Sequence, residues 1–402
     1  MKSEKGKKTI AVVTGTRAEF GLLRPVLSAL EKTRYHTKLI VTGSHLVDSL
    51  GFTLSEIEQA GFSVAEKLDI LDNDPAMQMT SAFPRAFSAF SNYFVVNHPD
   101  LLVVLGDRYE ILAASLAASM NNIPVAHISG GDVTAGAKDD AFRHCITKLS
   151  QLHFPSTEVY RKRVVQLGEN PDCVHNVGAL GAENILSLPV ISAKELTKEI
   201  GFDFSSPFLL VTYHPETRSK NPLLTGLWAL LDAIKNVGIP ALFTKANVDD
   251  GGNDINRELE RYCAENAKHK LVESLGAVRY LSVMRIASAV VGNSSSAIVE
   301  TPSLKIPAVN IGNRQAGRVM GENVICCNTE KVAIEKAIRK AVSDKFRNTI
   351  VDMNNPYGGV DVGKKIVKRI SEFLETCDSG TEKQFFDIDF TLPAEPENGA
   401  EV

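Results

Sequence analysis

No run of apolar residues in this 402-residue chain approaches the ~20 needed to cross a bilayer; the longest, such as Ile111–Met120, have the length of a buried helix. A membrane-spanning protein is therefore not expected. The basic stretch before Ile10 is followed by an apolar run only as far as Val13, too short for the core of a secretory signal, so a cytoplasmic protein is expected. There is no CxxC pair: Cys145, Cys173, Cys263, Cys326, Cys327 and Cys377 are scattered, which fits free thiols in a reducing compartment and gives no disulfide framework. Nor is there an excess of positive charge. Lys and Arg number 44 against 48 Asp and Glu, a formal charge of −4, which excludes a broad counterion-displacing nucleic-acid surface while leaving small anionic ligands open. What remains is ordinary: 44% hydrophobic and 23% charged residues exclude disorder and fibres, and the length predicts two or three domains.

From Ile10 onward, short apolar runs rich in Val, Ile and Leu alternate with segments of helical period. The expected strands are IAVV, KLIV at 38–41, LLVVL at 101–105, PVAHI at 124–128 and LHF at 152–154. Helices are expected over Ala18–Glu31, Leu54–Ala60, Met77–Asn97, from about Glu110, over Asp140–Ser150 and over Arg161–Leu167. Continuous apolar strands separated by helices read as a parallel sheet covered on both faces. The pattern breaks across Leu186–Pro207 into Ser, Pro and charged residues, then restarts with FLLVTYH, PALFTK, KLVES, SAVVGNSSS, IPAVNIG and NVICC. The expected organisation is α/β, with two Rossmann-like domains facing across a cleft: residues 1–185, residues 186–378, and an acidic, mobile tail over 379–402. In such sheets ligands bind beyond the carboxyl ends of the strands, so the residues after each apolar run are the candidates for chemistry.

After the first strand, TGTRAEFG lacks the G-x-G-x-x-G spacing of a dinucleotide site and carries Arg17, either a fork for phosphate oxygens or a structural partner of Glu19. After LLVVL comes Gly106-Asp107-Arg108, where Asp107 either faces the cleft or caps the next helix. HISGGDVTAGAKDDAFRH then gathers Asp132, Asp139, Asp140, Arg143 and His144 in a glycine-rich loop entering a helix. His127, Asp132 and His144 have ligand chemistry, but their spacing matches no metal signature and no metal is expected. In the second half, TYHPET places His214 at a strand end, as an exposed phosphate or proton-transfer group or as a structural histidine. VGNSSSAIVETP ends a strand in Asn293, Ser294, Ser295 and Ser296, an arrangement that suits an anion or simply caps a helix. Glu300, one turn further, is placed to accept hydrogen bonds from a ribose diol. Carboxylates in one half and an anion site in the other fit an enzyme acting on nucleotide sugars.

Together, TGTRAEFGLL, LGDRYE, HISGGDVTAGAKDDAFRHCITKLSQLHF, YHPET, GNSSSAIVE, NIGNRQAGR and NPYGGVDVGKKI resemble the hydrolysing UDP-N-acetylglucosamine 2-epimerase family, in order and over roughly Ile10 to Leu374. The resemblance implies a GT-B fold. It also implies conversion of a UDP- or GDP-linked amino sugar, N-acetylglucosamine or N,N'-diacetylbacillosamine, to the free manno-configured sugar and nucleoside diphosphate, by elimination to a glycal and hydration. Carried over by position, it makes Asp107 and Asp139 catalytic carboxylates and places Arg17, Arg108, His214, Ser294, Ser295, Glu300 and Arg314 in the nucleotide site. It implies no metal or redox cofactor, no nucleic-acid or membrane partner, and a homodimer or homotetramer.

The chain departs from the family where HIEGG carries a catalytic glutamate: here the residue is Ser129, and Ala135 stands at the glutamate position of a related TEGA loop. Asp132 or Asp140 then supplies the missing carboxylate, or the catalyst is weakened. The competing readings are a non-hydrolysing epimerase that keeps the nucleotide attached, a GT-B glycosyltransferase, and a silent sugar-nucleotide binder. In the segment from Ser379, Glu382, Asp387, Asp389, Glu395, Glu397 and Glu401 stand against Lys383 alone, so the acidic excess lies in this appendage and the body is near neutral. Phe385, Phe386, Ile388 and Phe390 form an apolar cluster suited to docking; if the tail is a bystander, cutting it at Thr376 leaves the rate unchanged.

Overall fold

The structure, a computed structural model, describes residues 7–48, 53–74, 77–134, 138–215, 224–246, 251–376 and 383–389. The first half runs β1 (Thr9–Thr14), α1 (Arg17–Leu30), β2 (His36–Thr42), α2 (Leu54–Gln59), β3 (Val64–Leu68), α3 (Met79–Asn97), β4 (Leu101–Leu105), α4 (Tyr109–Met120), β5 (Val125–Ile128), α5 (Lys138–Leu149), β6 (Leu152–Phe154) and α6 (Glu158–Gln166). Two helices, α7 (Leu180–Ser187) and α8 (Ala193–Ile200), lead to the second half. There β7 (Leu209–Thr212), α9 (Thr225–Val237), β8 (Ala241–Thr244), α10 (Gly252–Glu265), β9 (Lys270–Val272), α11 (Gly276–Ile286) and β10 (Ala289–Gly292) come first. The short α12 (Ser296–Val299) and α13 (Thr301–Leu304), then β11 (Ala308–Ile311), β12 (Val324–Cys327), α14 (Lys331–Ala341), α15 (Asp344–Thr349) and α16 (Val362–Thr376) complete it.

Each half is built on a six-stranded parallel sheet, ordered β3-β2-β1-β4-β5-β6 and β12-β11-β10-β7-β8-β9. These are the same doubly wound order. The chain reverses direction of winding between β1 and β4 in one sheet and between β7 and β10 in the other, and at such a switch point the flanking loops splay apart and leave a crevice. The central strands are buried on both faces: Ile10, Val12 and Val103 pack under α1, while Ala11, Val13 and Val104 pack under α3 and α4. That two-sided burial is why these strands read as continuous apolar runs.

Three elements differ from expectation. β3 exists although VAEKL is not an apolar run, because it is an edge strand pairing only with β2, and half its side chains face water. The polar stretch read as a break contains α8, entered by a capping box in which Ser192 and Glu195 satisfy each other's backbone N–H groups. Finally, α16, expected with the second half, puts Val362, Ile366, Ile370 and Leu374 into the core formed by β1, β4 and α1. The chain thus returns to its first half at the end. Among the described residues no helix is long and apolar enough to cross a membrane, and no group of three His, Cys, Asp or Glu residues is arranged to hold a metal ion.

Candidate active site

At the first switch point, β1 ends in Thr14 and the turn Gly15-Thr16 enters α1. Thr16 and Glu19 form a capping box: Thr16 Oγ1 accepts from Glu19 N, and Glu19 Oε2 accepts from Gly15 N (2.7 Å) and Thr16 N (3.2 Å). Glu19 is therefore occupied by backbone and is not the partner of Arg17. Instead Arg17 forks onto Glu56 of α2, Nε at 2.9 Å and Nη2 at 2.8 Å, with Nη2 3.5 Å from where a Cβ on Gly276 of the second half would stand. Arg17 lies at the cleft. Glu19 shares its buried surroundings with Glu110, which receives Arg108 Nε at 2.5 Å. Burial, then the Glu110 charge, push the Glu19 carboxyl up to about 8, so one proton is retained in this acidic pair at neutral pH.

After β4, Asp107 does not cap α4, whose N-terminal residue Arg108 makes no side-chain cap. Asp107 Oδ2 instead accepts from Arg143 Nη2 on α5. Arg143 is buried, and its Nη2 also donates to Thr134 Oγ1 (2.9 Å), while Thr134 N donates to Asp140 Oδ1 (2.7 Å). One guanidinium thereby ties the β4 turn, the β5 loop and the first turn of α5 together. That loop is tightly packed: Ser129 and Gly131 both have positive φ, and a Cβ on Gly131 would stand 2.5 Å from Tyr160 O, so only glycine fits there. Asp132 sits beneath it with Ser156 Oγ at 3.4 Å. Burial raises Asp132, countered by Arg318 and Arg143; burial and then Asp107 raise Asp139. Asp132 and Asp139 thus both feel the Asp107 charge. His127 is not part of it: burial pushes it down to about 3, and its ring bridges Gly106 O (2.8 Å) and Thr147 Oγ1 (3.2 Å). Ala135 lies outside the described residues.

The second switch point supplies the opposite wall. Asn293 accepts from His214 N (2.7 Å) and donates to His214 O (2.9 Å), clamping the ends of β7 and β10 together. His214 is consequently buried rather than exposed; burial, then Arg314, push it down to about 3, leaving a neutral imidazole. Arg314 Nη1 (3.2 Å) and Gln315 Nε2 (2.9 Å) both donate to Asn293 O. Ser295 stands at the start of α12 without making a side-chain cap, and Ser294 Oγ accepts from Ser296 N only at 3.4 Å, so the serine run is not spent on capping. Glu300 Oε2 is enclosed with no hydrogen-bond partner among the described residues, and burial pushes its carboxyl up to about 7.

Arg318 joins the walls. From the β11–β12 connection it donates to Val133 O (3.1 Å) and Thr134 Oγ1 (3.4 Å) of the first half, and its charge acts on both Asp132 and Glu300. The sequence candidates thus fall into two clusters, Asp107, Asp132, Asp139 and Arg108 on one side, His214, Ser294, Ser295, Glu300 and Arg314 on the other, with Arg17 at the rim. Arg143, which binds the first cluster together, was noted in the sequence without a role, and Arg318, which joins the two clusters, was not singled out. Each was visible as a basic residue just after a selected one, four positions beyond Asp139 and four beyond Arg314.

The family described as UDP-N-acetylglucosamine 2-epimerase matches residues 28–371. Among curated proteins, the chain is 39% identical to the GDP/UDP-N,N'-diacetylbacillosamine 2-epimerase (hydrolyzing) of Campylobacter jejuni, covering 95% of this chain and 100% of that one. It is 31% identical to the UDP-N,N'-diacetylbacillosamine 2-epimerase (hydrolyzing) of Legionella pneumophila, over 92% and 99%. Among solved structures, the UDP-GlcNAc 2-epimerase of Neisseria meningitidis bound to UDP-GlcNAc superposes with a TM-score of 0.77 at 19% identity, over 90% of this chain and all of that one.

Proposed function

Since the chain belongs to the UDP-N-acetylglucosamine 2-epimerase family, we infer that it is a hydrolysing 2-epimerase that releases a free manno-configured amino sugar and a nucleoside diphosphate from a nucleotide-linked substrate. UDP- or GDP-linked N,N'-diacetylbacillosamine is the favoured substrate class, because relatives at 39% and 31% identity carry that name whereas a UDP-N-acetylglucosamine 2-epimerase of Neisseria meningitidis stands at 28%. The observation that carries the reading is the convergence of Asp107, Asp132 and Asp139 around Arg143, facing a second-half wall of Arg314, His214 and the serine turn.

The chemistry follows from that layout. Removing the C2 proton while the C1–O bond to diphosphate breaks gives a glycal; adding water then puts hydroxyl on C1 and a proton on C2 from the opposite face. Two proton-handling groups are needed on different sides of the ring. Asp139, its carboxyl raised by burial and by Asp107, is suited to exchange a proton with the sugar, while Asp107, held by Arg143, keeps a fixed direction. Asp132 takes the place of the glutamate absent at Ser129. On the other wall, Arg314 and the N–H groups around Ser294 and Ser295 stabilise charge on the leaving diphosphate. Glu300, whose Oε2 has no partner among the described residues, accepts from the ribose diol, which favours its ionised form when substrate binds. Arg17 and Arg108 complete the positive rim.

The product is a precursor of the kind from which sialic- and legionaminic-type acids are built, and a cytoplasmic location fits nucleotide-sugar substrates. A homodimer or homotetramer is proposed: Val95, Val96 and Met120 are exposed where α3 and α4 end side by side, joined through His98 and Asn121, and light scattering coupled to gel filtration reads the state directly. The activity is tested by incubation with each nucleotide sugar in deuterated water and NMR of the products. Free manno sugar deuterated at C2 is expected. Nucleotide-linked manno product means the non-hydrolysing reaction, and binding without turnover means a silent binder.

A further inference from the structure

Residues 383–389 of the C-terminal segment are engaged in a site of their own. Lys383 Nζ donates to Ser150 O (2.6 Å), Lys148 O (2.7 Å) and Thr147 O (3.3 Å), at the carboxyl end of α5. The last carbonyls of a helix have no partner within it, so the ammonium acts as a C-cap brought from more than 230 residues away. Its charge is balanced by Glu169, almost wholly buried, which lies 2.7 Å from Lys383, 2.7 Å from Lys148 Nζ and 2.9 Å from His153 Nε2. Burial alone would raise Glu169, but these three donors outweigh it and hold the carboxyl at about 2. Two residues on, Phe385 occupies the space over Gly168 where a Cβ would be, 2.2 Å from Cε2, with Lys148 Nζ 4.8 Å from its ring centre. Phe386 N donates to Gly168 O at 2.9 Å.

The same helix carries Asp139 and Asp140 in its first turn and Arg143 in its second. A second link runs from Thr147 Oγ1 through the ring of His127 to Gly106 O, the residue before Asp107. Both ends of the acidic site thus rest on the turn of α5 that Lys383 caps.

We propose that residues 383–389 are a strap that sets the position of α5, and through it the placement of Asp107 and Asp139, making Lys383 a positioning residue for the reaction. The proposal rests on the epimerase reading for what those carboxylates do. The relevant comparison uses the full chain, a chain ending at Thr376, a chain ending at Asp389 and the Lys383→Met variant. Turnover of UDP- and GDP-linked diacetylbacillosamine gives kcat and KM, calorimetry gives the Kd for UDP, and hydrogen exchange follows residues 106–108 and α5.

Loss of the strap is expected to lower kcat by about 10- to 100-fold, the scale of an ångström-level misplacement of catalytic groups. UDP affinity should stay within about twofold, since the nucleotide wall is untouched. A synthetic peptide of residues 381–391 added in trans should restore kcat to the chain ending at Thr376, and the chain ending at Asp389 should match the full one. Exchange in α5 should quicken without Lys383. Unchanged kcat and unchanged exchange in the chain ending at Thr376, or parallel loss of turnover and UDP binding, overturns the strap. Absence of turnover in the full chain overturns the epimerase reading instead, and the exchange measurement then decides the strap alone.

Discussion

Arg143 shows how a single side chain acquires several duties when it is buried among carboxylates. Its guanidinium satisfies Asp107 and Thr134 and sits 3.5 Å from Asp140, so Arg143→Ala leaves acidic groups without their compensating charge. Loss of kcat by at least ~100-fold is expected, with a lower Tm than the wild type by thermal scanning. Asp107→Asn keeps most of the packing, so it should lose turnover while retaining UDP binding; robust activity in Asp107→Asn contradicts the assignment. Glu19 offers a test by pH. Its carboxyl titrates near 8 when folded and near 4.5 when unfolded, so between these values the folded state holds a proton the unfolded state lacks. Stability is therefore greatest below the lower value and falls as pH rises through the upper one. Glu19→Gln keeps an acceptor for Gly15 and Thr16 but removes the titration. Between pH 6 and 9 the wild type should lose at least ~3 °C of Tm more than Glu19→Gln, about 1 kcal/mol for a domain of this size.

At the level of elements, whatever is buried on both faces was legible from sequence, and whatever draws its stability from elsewhere was not. The five apolar runs of the first half and the six of the second all became strands, and the residues after them reached the two switch points. β3 is not an apolar run because half-buried Val64, Glu66 and Leu68 alternate with exposed Ala65 and Lys67, which suits an edge, where only one side of the backbone pairs. α8 was missed for composition, although Ser192-Ala193-Lys194-Glu195 is a capping-box sequence. Ser192→Ala should cost about 1 kcal/mol by chemical denaturation. α16 and α5 illustrate a further limit. Their amphipathic pattern announces a helix but not which surface receives it, since apolar stripes fit any apolar partner. Likewise the carboxylates could be selected by position at strand ends, whereas Arg143 and Arg318 could not be assigned without knowing what their long side chains reach.

Over the whole molecule, a small set of polar side chains at the cleft ties the first half to the β11–β12 connection among the described residues. Arg318 is one of them, and the neighbouring Val319 is held by two tyrosines: Tyr160 Oη accepts from Val319 N at 2.9 Å and Tyr357 Oη donates to Val319 O at 2.8 Å. Arg318→Ala removes charge from between the walls and frees the Val133–Thr134 backbone. It should raise KM for the nucleotide sugar by about tenfold, the worth of one charge-assisted bond, with a smaller effect on Tm than Arg143→Ala.

Because Arg318 comes from one sheet and grips the loop of the other, the residues on either side of that grip form a matched pair. Chimeras made by exchanging whole halves between relatives would separate them. A functional hybrid should require residues 131–144 and 313–319 to travel from the same parent, even when every other residue of the two halves comes from different ones.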